Sequence, residues 1–221
     1  MRNVVDSQLE RAVRDLQRIS GVERATRRAL LYFVVPLWLG SGLADWWHHR
    51  RTHIERTAGA YESLIHLLML LEAGVPSMLG LFLEVNAGVL ATAYAALAAH
   101  EVTAFWDVAY AEERRRVTPT EQHVHSYLEV GPLMAVVLLT VLHWDQARAL
   151  VGVGPARAEF ALRPKRKPLE ARYVAPLLTA LATCGALPYL EELWRCYRTE
   201  PTLAPRPEPP EPATPSLRIP A

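Results

Sequence analysis

Residues 29–44 read ALLYFVVPLWLGSGLA and contain no charged side chain. Residues 85–99 and 130–142 are also free of charge. A helix of a soluble bundle needs polar residues that repeat along one face, and these runs have none. An α-helix needs about 20 apolar residues to cross the hydrocarbon core of a bilayer. The runs therefore predict membrane-spanning helices rather than a soluble all-α bundle.

Extending this pattern along the 221 residues predicts five spans. They are residues 29–47, 61–85, 87–106, 127–144 and 173–190. The predicted fold is all-α, a multi-pass transmembrane bundle over residues 29–198 with four core helices and a fifth span. The stretch from Thr118 to Glu121 has the pattern of a capping box that begins the fourth helix. Between the second and third spans, residues 84–88 predict a tight turn in which Asn86 and Gly88 supply a permissive backbone.

The two ends of the chain differ from this bundle. Residues 1–28 are rich in charge, and their apolar residues recur at roughly helical spacing, which predicts an amphipathic helix on the membrane surface. Their composition does not fit a secretory signal, which needs an apolar core nearer the start. Residues 199–221 are rich in proline, and we expect a disordered tail.

Charge and composition bear on location and partners. The net charge of +1 provides no field that would attract nucleic acid, so no nucleic-acid partner is expected. Basic residues are almost all arginine, with Lys165 and Lys167 the only lysines, and alanine is abundant. This usage is typical of a GC-rich bacterial genome, and we expect a multi-pass protein of the bacterial inner membrane with the lipid bilayer as its partner. Cys184 and Cys196 show neither metal-binding spacing nor a disulfide framework.

The predicted topology gathers ionisable residues at one end of the bundle. Short connections reverse the chain after each span, so seven of the eight histidines fall on one side and only His143 lies at the other. The main candidates for a metal site are Asp45, His49, Glu62, His66, His100, Asp107, His123 and His125. Further candidates are His48, His53, Glu72, Glu101, Glu121 and Glu129.

Helical spacing supports this set, because residues four or seven apart share a helix face. Asp45 with His49 and Glu62 with His66 are four apart, and each helix pairs a carboxylate with an imidazole. Such ligands suit iron, zinc or manganese. His123 and His125 are two apart and point to nearly opposite faces, so one regular helix presents only one of them to a site, and alignment with Glu121 favours His125.

Other interpretations exist for single members of the set. His48, His49 and His53 adjoin two tryptophans and two arginines, a composition typical of an interfacial anchor. Glu121 fits a helix cap as well as a ligand. Glu72 lies off the stripe of Glu62 and His66, beside Gly74 and Pro76, where a carboxylate serves either as a proton relay or as a cap for freed backbone.

The histidines over residues 45–129 resemble those of the membrane-embedded, His-rich di-iron hydroxylases and desaturases. The resemblance rests on His48 and His49 with His53, then His100, then the pair His123 and His125. The chain departs from that pattern because no His-His pair follows His49. The stretches Asp45-Trp-Trp-His-His-Arg50 and Glu121-Gln-His-Val-His-Ser126 are also similar to a family of small bacterial multi-pass membrane proteins of uncharacterised function.

The leading hypothesis is a membrane oxidoreductase with two non-haem irons, with zinc or manganese as other candidate metals. The resemblance to the hydroxylases implies a lipophilic small-molecule substrate and an electron-donor protein. A metal- or proton-binding transporter or sensor would use the same cluster without redox chemistry. A b-type haem protein and a scaffold without a cofactor are further alternatives, although the carboxylate-rich cluster is unlike the apolar surroundings that haem prefers.

Overall fold

The computed structural model describes residues 20–199, and every regular element in that range is helical. In chain order the helices are α1 (Ser20–Thr52), α2 (Gly59–Phe82), α3 (Ala87–Glu112), α4 (Pro119–Leu142), the short α5 (Trp144–Leu150) and α6 (Ala171–Arg198). α1 and α6 each contain a π-helical segment, at Leu30–Val34 and Leu181–Ala186. The predicted proline-rich tail and most of the predicted amphipathic segment lie outside the described residues.

Five of these helices, all except α5, are long and apolar enough to cross a membrane. They alternate in direction, with α2 packed along α3, α1 along α4, and α6 against α1 and α2. Large apolar side chains cover the outside of the bundle, such as Leu71 on α2, Phe105 on α3 and Val137 on α4, each at least half exposed. An apolar exterior of this extent is unusual for a soluble monomer. The all-α architecture and the five long helices are therefore as the sequence predicts.

The helices extend beyond the predicted spans at the polar end of the bundle. α1 continues to Thr52 and α3 to Glu112, while α6 continues to Arg198. The direction of the chain then changes within residues 53–58, where His53 ends α1 in the left-handed region with φ 54°. Gly59 begins α2 with φ 72°, a conformation that glycine adopts without steric cost.

α4 begins at the predicted capping box. The Thr118 hydroxyl accepts the backbone N–H of Glu121, and the Glu121 side chain accepts the backbone N–H of Thr118. This reciprocal pairing fixes the direction in which the first turn of α4 leaves the loop. It also holds the Glu121 side chain inside the bundle, where it is fully buried.

At the opposite end, residues 159–166 form a strap across the connection between α2 and α3. The Glu84 N–H donates to the Arg163 carbonyl, and the Lys165 N–H donates to the Phe82 carbonyl, both at 2.9 Å. Asn86 caps α3 by accepting the N–H of Val89. The chain turns between α2 and α3 where the sequence predicts it, but neither Asn86 nor Gly88 has a positive φ, so the turn does not use their permissive backbone. Gly88 instead lets the strap approach, since a Cβ there would lie 3.1 Å from the backbone of Phe160.

A second close approach joins α1 to α4. The Trp38 indole packs directly on Gly131, where a Cβ would lie 2.7 Å from the ring. Real Cβ atoms do not come that close to a neighbour, so the glycine is what allows the two helices to meet around this ring. Trp38 then forms part of the wall between two cavities inside the bundle.

Candidate metal centre

Five helices bring a buried polar cluster together at the end of the bundle to which the sequence assigns the histidines. α1 provides Asp45 and His49, α2 provides Glu62 and His66, and α3 provides Asp107. The remaining members are Glu121 and His125 from α4, Tyr189 and Glu192 from α6, and Arg115 from the loop between α3 and α4. Except for the largely buried Arg115, all of these residues are less than 9% exposed. Burying so many ionisable groups is unfavourable unless each finds a partner.

Glu192 lies at the centre of this cluster and joins two histidines. One of its oxygens lies 2.9 Å from Nδ1 of His49, and the other lies 2.8 Å from Nδ1 of His66. The two imidazole rings stack with their centroids 4.5 Å apart and their planes 10° from parallel. Because a carboxylate accepts hydrogen bonds, both Nδ1 atoms carry a proton and both Nε2 atoms face away from Glu192. When the imidazole is neutral, its Nε2 has a free lone pair.

Neither of these Nε2 atoms makes a hydrogen bond to any residue that the structure describes, although both are buried. Nε2 of His49 lies 3.5 Å from an oxygen of Asp45 and 3.5 Å from an oxygen of Glu121. Those distances are too long for good hydrogen bonds. They match the spacing between neighbouring ligands of one metal ion, since tetrahedral ligands about 2.1 Å from the metal lie about 3.4 Å apart.

The surroundings of His66 repeat this arrangement. Its Nε2 lies 3.2 Å from an oxygen of Asp107, which is close enough for a hydrogen bond but not aligned for one, and 3.9 Å from an oxygen of Glu62. The Asp107 oxygen is also buried without a hydrogen bond. The cluster therefore contains two half-sites, one around His49 and one around His66, with Glu192 shared between the histidines.

His125 and Tyr189 complete the half-site around His49. Nε2 of His125 lies 2.9 Å from one oxygen of Asp45, and the Tyr189 hydroxyl donates to the other oxygen at 3.2 Å. Asp45, His49 and His125 offer three ligand atoms that lie within 4.8 Å of one another, as do Glu62, His66 and Asp107 in the second half-site. Each half-site thus mixes imidazole and carboxylate ligands, the donor set of iron, manganese and zinc sites.

Arg115 links the carboxylates of the two half-sites. Its Nη2 lies 2.5 Å from Glu62 and its Nη1 lies 2.6 Å from Glu121. Burial opposes the charge of the guanidinium, but hydrogen bonding to Glu62 and the negative charges of Glu62 and Glu121 raise the pKa of Arg115 above its ordinary value. The guanidinium therefore stays protonated and neutralises part of the cluster.

The cluster holds more negative charge than this one arginine neutralises. Five ionised carboxylates and one guanidinium leave four negative charges when the imidazoles are neutral; the carboxylates are Asp45, Glu62, Asp107, Glu121 and Glu192. Buried charge of this size needs compensation by bound cations or by protons on the histidines. Two divalent metal ions would balance it completely.

A cavity with mainly apolar walls adjoins the half-sites. Its polar side includes Asp45, His66 and Asp107, and its remaining walls include Leu39, Met69, Leu70, Val108 and Leu128. Trp38 and His100 line both this cavity and a second one that extends along the bundle between α1, α2, α3 and α4. An apolar molecule in the first cavity would touch the histidines and carboxylates of the cluster.

His100 is buried beside this cavity but belongs to neither half-site. Its Nδ1 lies 3.7 Å from an oxygen of Glu72, whose other oxygen accepts a hydrogen bond from Thr103. Nδ1 of His100 and the facing oxygen of Glu72 are both buried without a hydrogen-bond partner in the described chain. The three residues form a separate polar group deeper in the bundle.

Of the sequence candidates, the structure brings seven into the cluster: Asp45, His49, Glu62, His66, Asp107, Glu121 and His125. It does not bring His123 there; this residue is exposed and its ring packs on Tyr127 at 5.1 Å, because it lies on the far face of α4 from His125. His53 and Glu101 are also exposed, and His53 pairs with Glu55. His48 is half-buried outside both half-sites, and Glu129 lines the apolar cavity.

Sequence reasoning missed Glu192, Tyr189 and Arg115. The signal for Glu192 was the topology itself, because the fifth span runs in the same direction as the first and its C-terminal end must reach the histidine side. The run Arg114-Arg-Arg116 gave no indication of which arginine turns inward.

No family model, curated protein or solved structure matches this chain.

Proposed function

We propose that this chain is a multi-pass membrane protein whose buried cluster binds two transition-metal ions for oxidation of a lipophilic substrate. The observation that carries the proposal is the pair of buried Nε2 atoms, on His49 and His66, that face carboxylate oxygens without hydrogen bonds. A buried imidazole nitrogen normally has a hydrogen-bond partner. Two buried nitrogens without one, on histidines that the same carboxylate orients, are typical of metal ligands. Two divalent ions would also balance the excess of negative charge in the cluster.

Under this proposal the first ion would be held by Asp45, His49, Glu121 and His125. The second would be held by Glu62, His66 and Asp107. Glu192 would hold both ligand histidines in the tautomer that leaves Nε2 available, as carboxylates do beside many metal-bound imidazoles. Arg115 would neutralise part of the charge on Glu62 and Glu121, which are one carboxylate from each half-site.

The walls of the adjoining cavity support the proposal of a lipophilic substrate. Leu39, Leu70 and Leu128 give it apolar walls, and its polar side is the cluster itself. Two non-haem irons would supply oxygen activation: one atom of dioxygen enters a C–H bond and the other leaves as water, with two electrons from a donor protein and two protons. The chain's own contribution is to exclude water from the cavity and to hold the substrate's apolar part against the half-sites.

The test of redox function is oxygen consumption by the purified protein. Iron(II) is added without air to protein in lipid nanodiscs, then oxygen and a chemical reductant are supplied, and oxygen uptake and oxidised lipid are measured. We expect uptake by the wild type, loss of at least about 100-fold in His66→Ala, and wild-type uptake in His123→Ala, which alters an exposed histidine on the same end. The absorption spectrum should contain no Soret band. Iron binding without oxygen uptake would contradict an oxidoreductase.

A proton-binding transporter or sensor is the second candidate function. It is supported by Arg115, which already provides one cation to Glu62 and Glu121, and by the group of Glu72, Thr103 and His100, which extends polar residues towards the middle of the bundle. In that case protons on the three cluster histidines would replace the metal ions as compensating charge. Proton uptake with changing pH, measured in protein free of metal and unaltered by added metal, would favour this alternative.

A further inference from the structure

The end of the bundle opposite the cluster contains a cavity with basic and apolar walls. Its basic residues are Arg27 at the start of α1, His143 at the end of α4, Lys165 and Arg166 on the strap, and Lys167 directly after it. The apolar walls include Leu30, Leu31, Leu139, Leu142 and Leu169. Both lysines of the chain lie in this one place. We refer to it as the basic cavity.

Positive charge predominates in the basic cavity. Glu84 is the acidic residue among its walls, and its carboxylate accepts the backbone N–H of Arg166 at 2.6 Å. Arg27 contacts Glu23 at 3.0 Å, but both side chains are about half exposed, so this pair contributes little. Burial is the largest cause that lowers the pKa of His143, and the nearby charges of Lys165 and Arg27 lower it further.

The strap holds Lys165 in place over this cavity. Nζ of Lys165 donates to the Leu83 carbonyl at 2.7 Å, and its backbone N–H donates to Phe82. The ammonium group is thus fixed at the end of α2 rather than free in solvent, and burial lowers its pKa. A fixed ammonium that shares the cavity with the cationic Arg27, Arg166 and Lys167 is suited to an anionic oxygen cluster such as a phosphate group.

The position of the cavity indicates what carries the phosphate. It lies at one end of the apolar segments of α1, α2 and α4. The exposed Tyr32 and Phe33 lie further along α1, and the exposed Trp144 lies at the start of α5. Aromatic residues of this kind mark the headgroup level of a bilayer. Basic pockets between spans on one membrane face bind anionic headgroups.

We propose that the basic cavity binds the phosphate headgroup of an anionic phospholipid, with an acyl chain along its leucine wall. This site depends on the bundle lying in a bilayer, which is part of the proposed function, but it does not depend on the metal centre. The lipid would anchor the strap and the ends of α1, α2 and α4 in one arrangement.

The test uses the full chain in nanodiscs of phosphatidylcholine, with and without phosphatidylglycerol. Lipids retained after release into detergent are counted by native mass spectrometry, and the unfolding temperature is measured in each disc. The variant is Arg27→Gln with Lys167→Gln, two exposed positions. The matched control is Arg56→Gln with Arg116→Gln, which removes the same charge from the exposed surface at the other end.

We expect the wild type and the control to retain one phosphatidylglycerol and to unfold at a higher temperature when it is present. The variant should retain it about 25-fold less, at about fivefold for each basic residue removed, with unchanged metal content. Equal retention by the variant, or equal retention of phosphatidylcholine, would overturn the proposal. Inorganic phosphate is tested alone in phosphatidylcholine discs; if it raises the unfolding temperature as much as the lipid does, the site binds a free anion and the lipid assignment fails. If the double variant already unfolds early in phosphatidylcholine, Lys167→Gln alone is compared in the same way.

Discussion

Glu192 connects His49 to His66, with 2.9 and 2.8 Å from its two oxygens to their Nδ1 atoms. The two histidines are on different helices, and the carboxylate comes from a third. This one residue therefore determines both the stacking of the rings and the direction in which their Nε2 atoms point. Under the proposed function, a dinuclear site would depend on the end of α6.

Replacing Glu192 with glutamine tests this role with little change of shape. An amide has one acceptor oxygen, so only one histidine can keep its Nδ1 hydrogen bond while the other faces an N–H donor. We expect metal affinity to fall about 10- to 100-fold, as for other carboxylates that orient ligand histidines. Competition with a chelator measures the affinity.

The control for this variant is Glu191→Gln, one position away. Glu191 accepts the Trp46 N–H and contacts Arg50 at the edge of the cluster, without touching the histidines. Its replacement should leave metal affinity unchanged. A loss as large as that in Glu192→Gln would mean that the end of α6 acts through overall stability alone.

Arg115→Gln should destabilise the protein, most strongly when metal is absent. It leaves Glu62 and Glu121 without their buried cation, and removing one partner of a buried ion pair costs about 3–5 kcal/mol. Unfolding in detergent, followed by circular dichroism, measures the change. Arg116→Gln is the neighbouring exposed control and should change stability by less than about 0.5 kcal/mol. Equal stabilities of the two variants would contradict the buried ion pairs.

Gly131→Ala should displace Trp38. The new methyl group would lie 2.7 Å from the indole, so the ring must move towards the cavities or the helices must separate. Overpacking of this kind costs about 1–3 kcal/mol. Gly40→Ala on α1, where a Cβ meets nothing within 4 Å, should be neutral or stabilising. Trp38→Leu combined with Gly131→Ala should recover stability relative to Gly131→Ala; no recovery would show that the indole is not the obstacle.

Thr118→Ala removes the cap of α4 and should lower stability by about 1 kcal/mol. Because the cap also holds the Glu121 side chain, we expect a small loss of metal affinity with it. Thr120→Ala, two residues along and exposed, serves as the control and should leave both quantities near their wild-type values. Thermal unfolding and chelator competition measure the two effects; an unaffected stability in Thr118→Ala would contradict the cap.

The architecture was predictable because uncharged runs and short connections allow few arrangements of the helices. Alternating spans place both ends of each connection on the same side, which is enough to gather Asp45, Glu62, Asp107 and Glu121 without knowing any distance. The fifth span obeys the same rule, and applying it there would have placed Glu192 beside the other carboxylates. The predicted fifth span ended at Leu190, two residues before Glu192, and therefore left this carboxylate out.

His100 shows where the pattern on one helix is insufficient. It shares a face of α3 with Asp107, but seven residues of helix separate them by about 10.5 Å along the axis. That separation exceeds the size of one metal site, so His100 faces Glu72 instead. The inward turn of Arg115 was likewise not predictable, because a loop of three consecutive arginines has no periodicity that distinguishes them.

The most direct test of the central claim is metal analysis of the purified protein. After growth with ample iron, manganese and zinc, elemental mass spectrometry in detergent should find two transition-metal ions per chain. His49→Ala and His66→Ala should each lose at least one ion, while His123→Ala retains both. A folded wild-type protein without a stoichiometric transition metal would contradict the dinuclear centre.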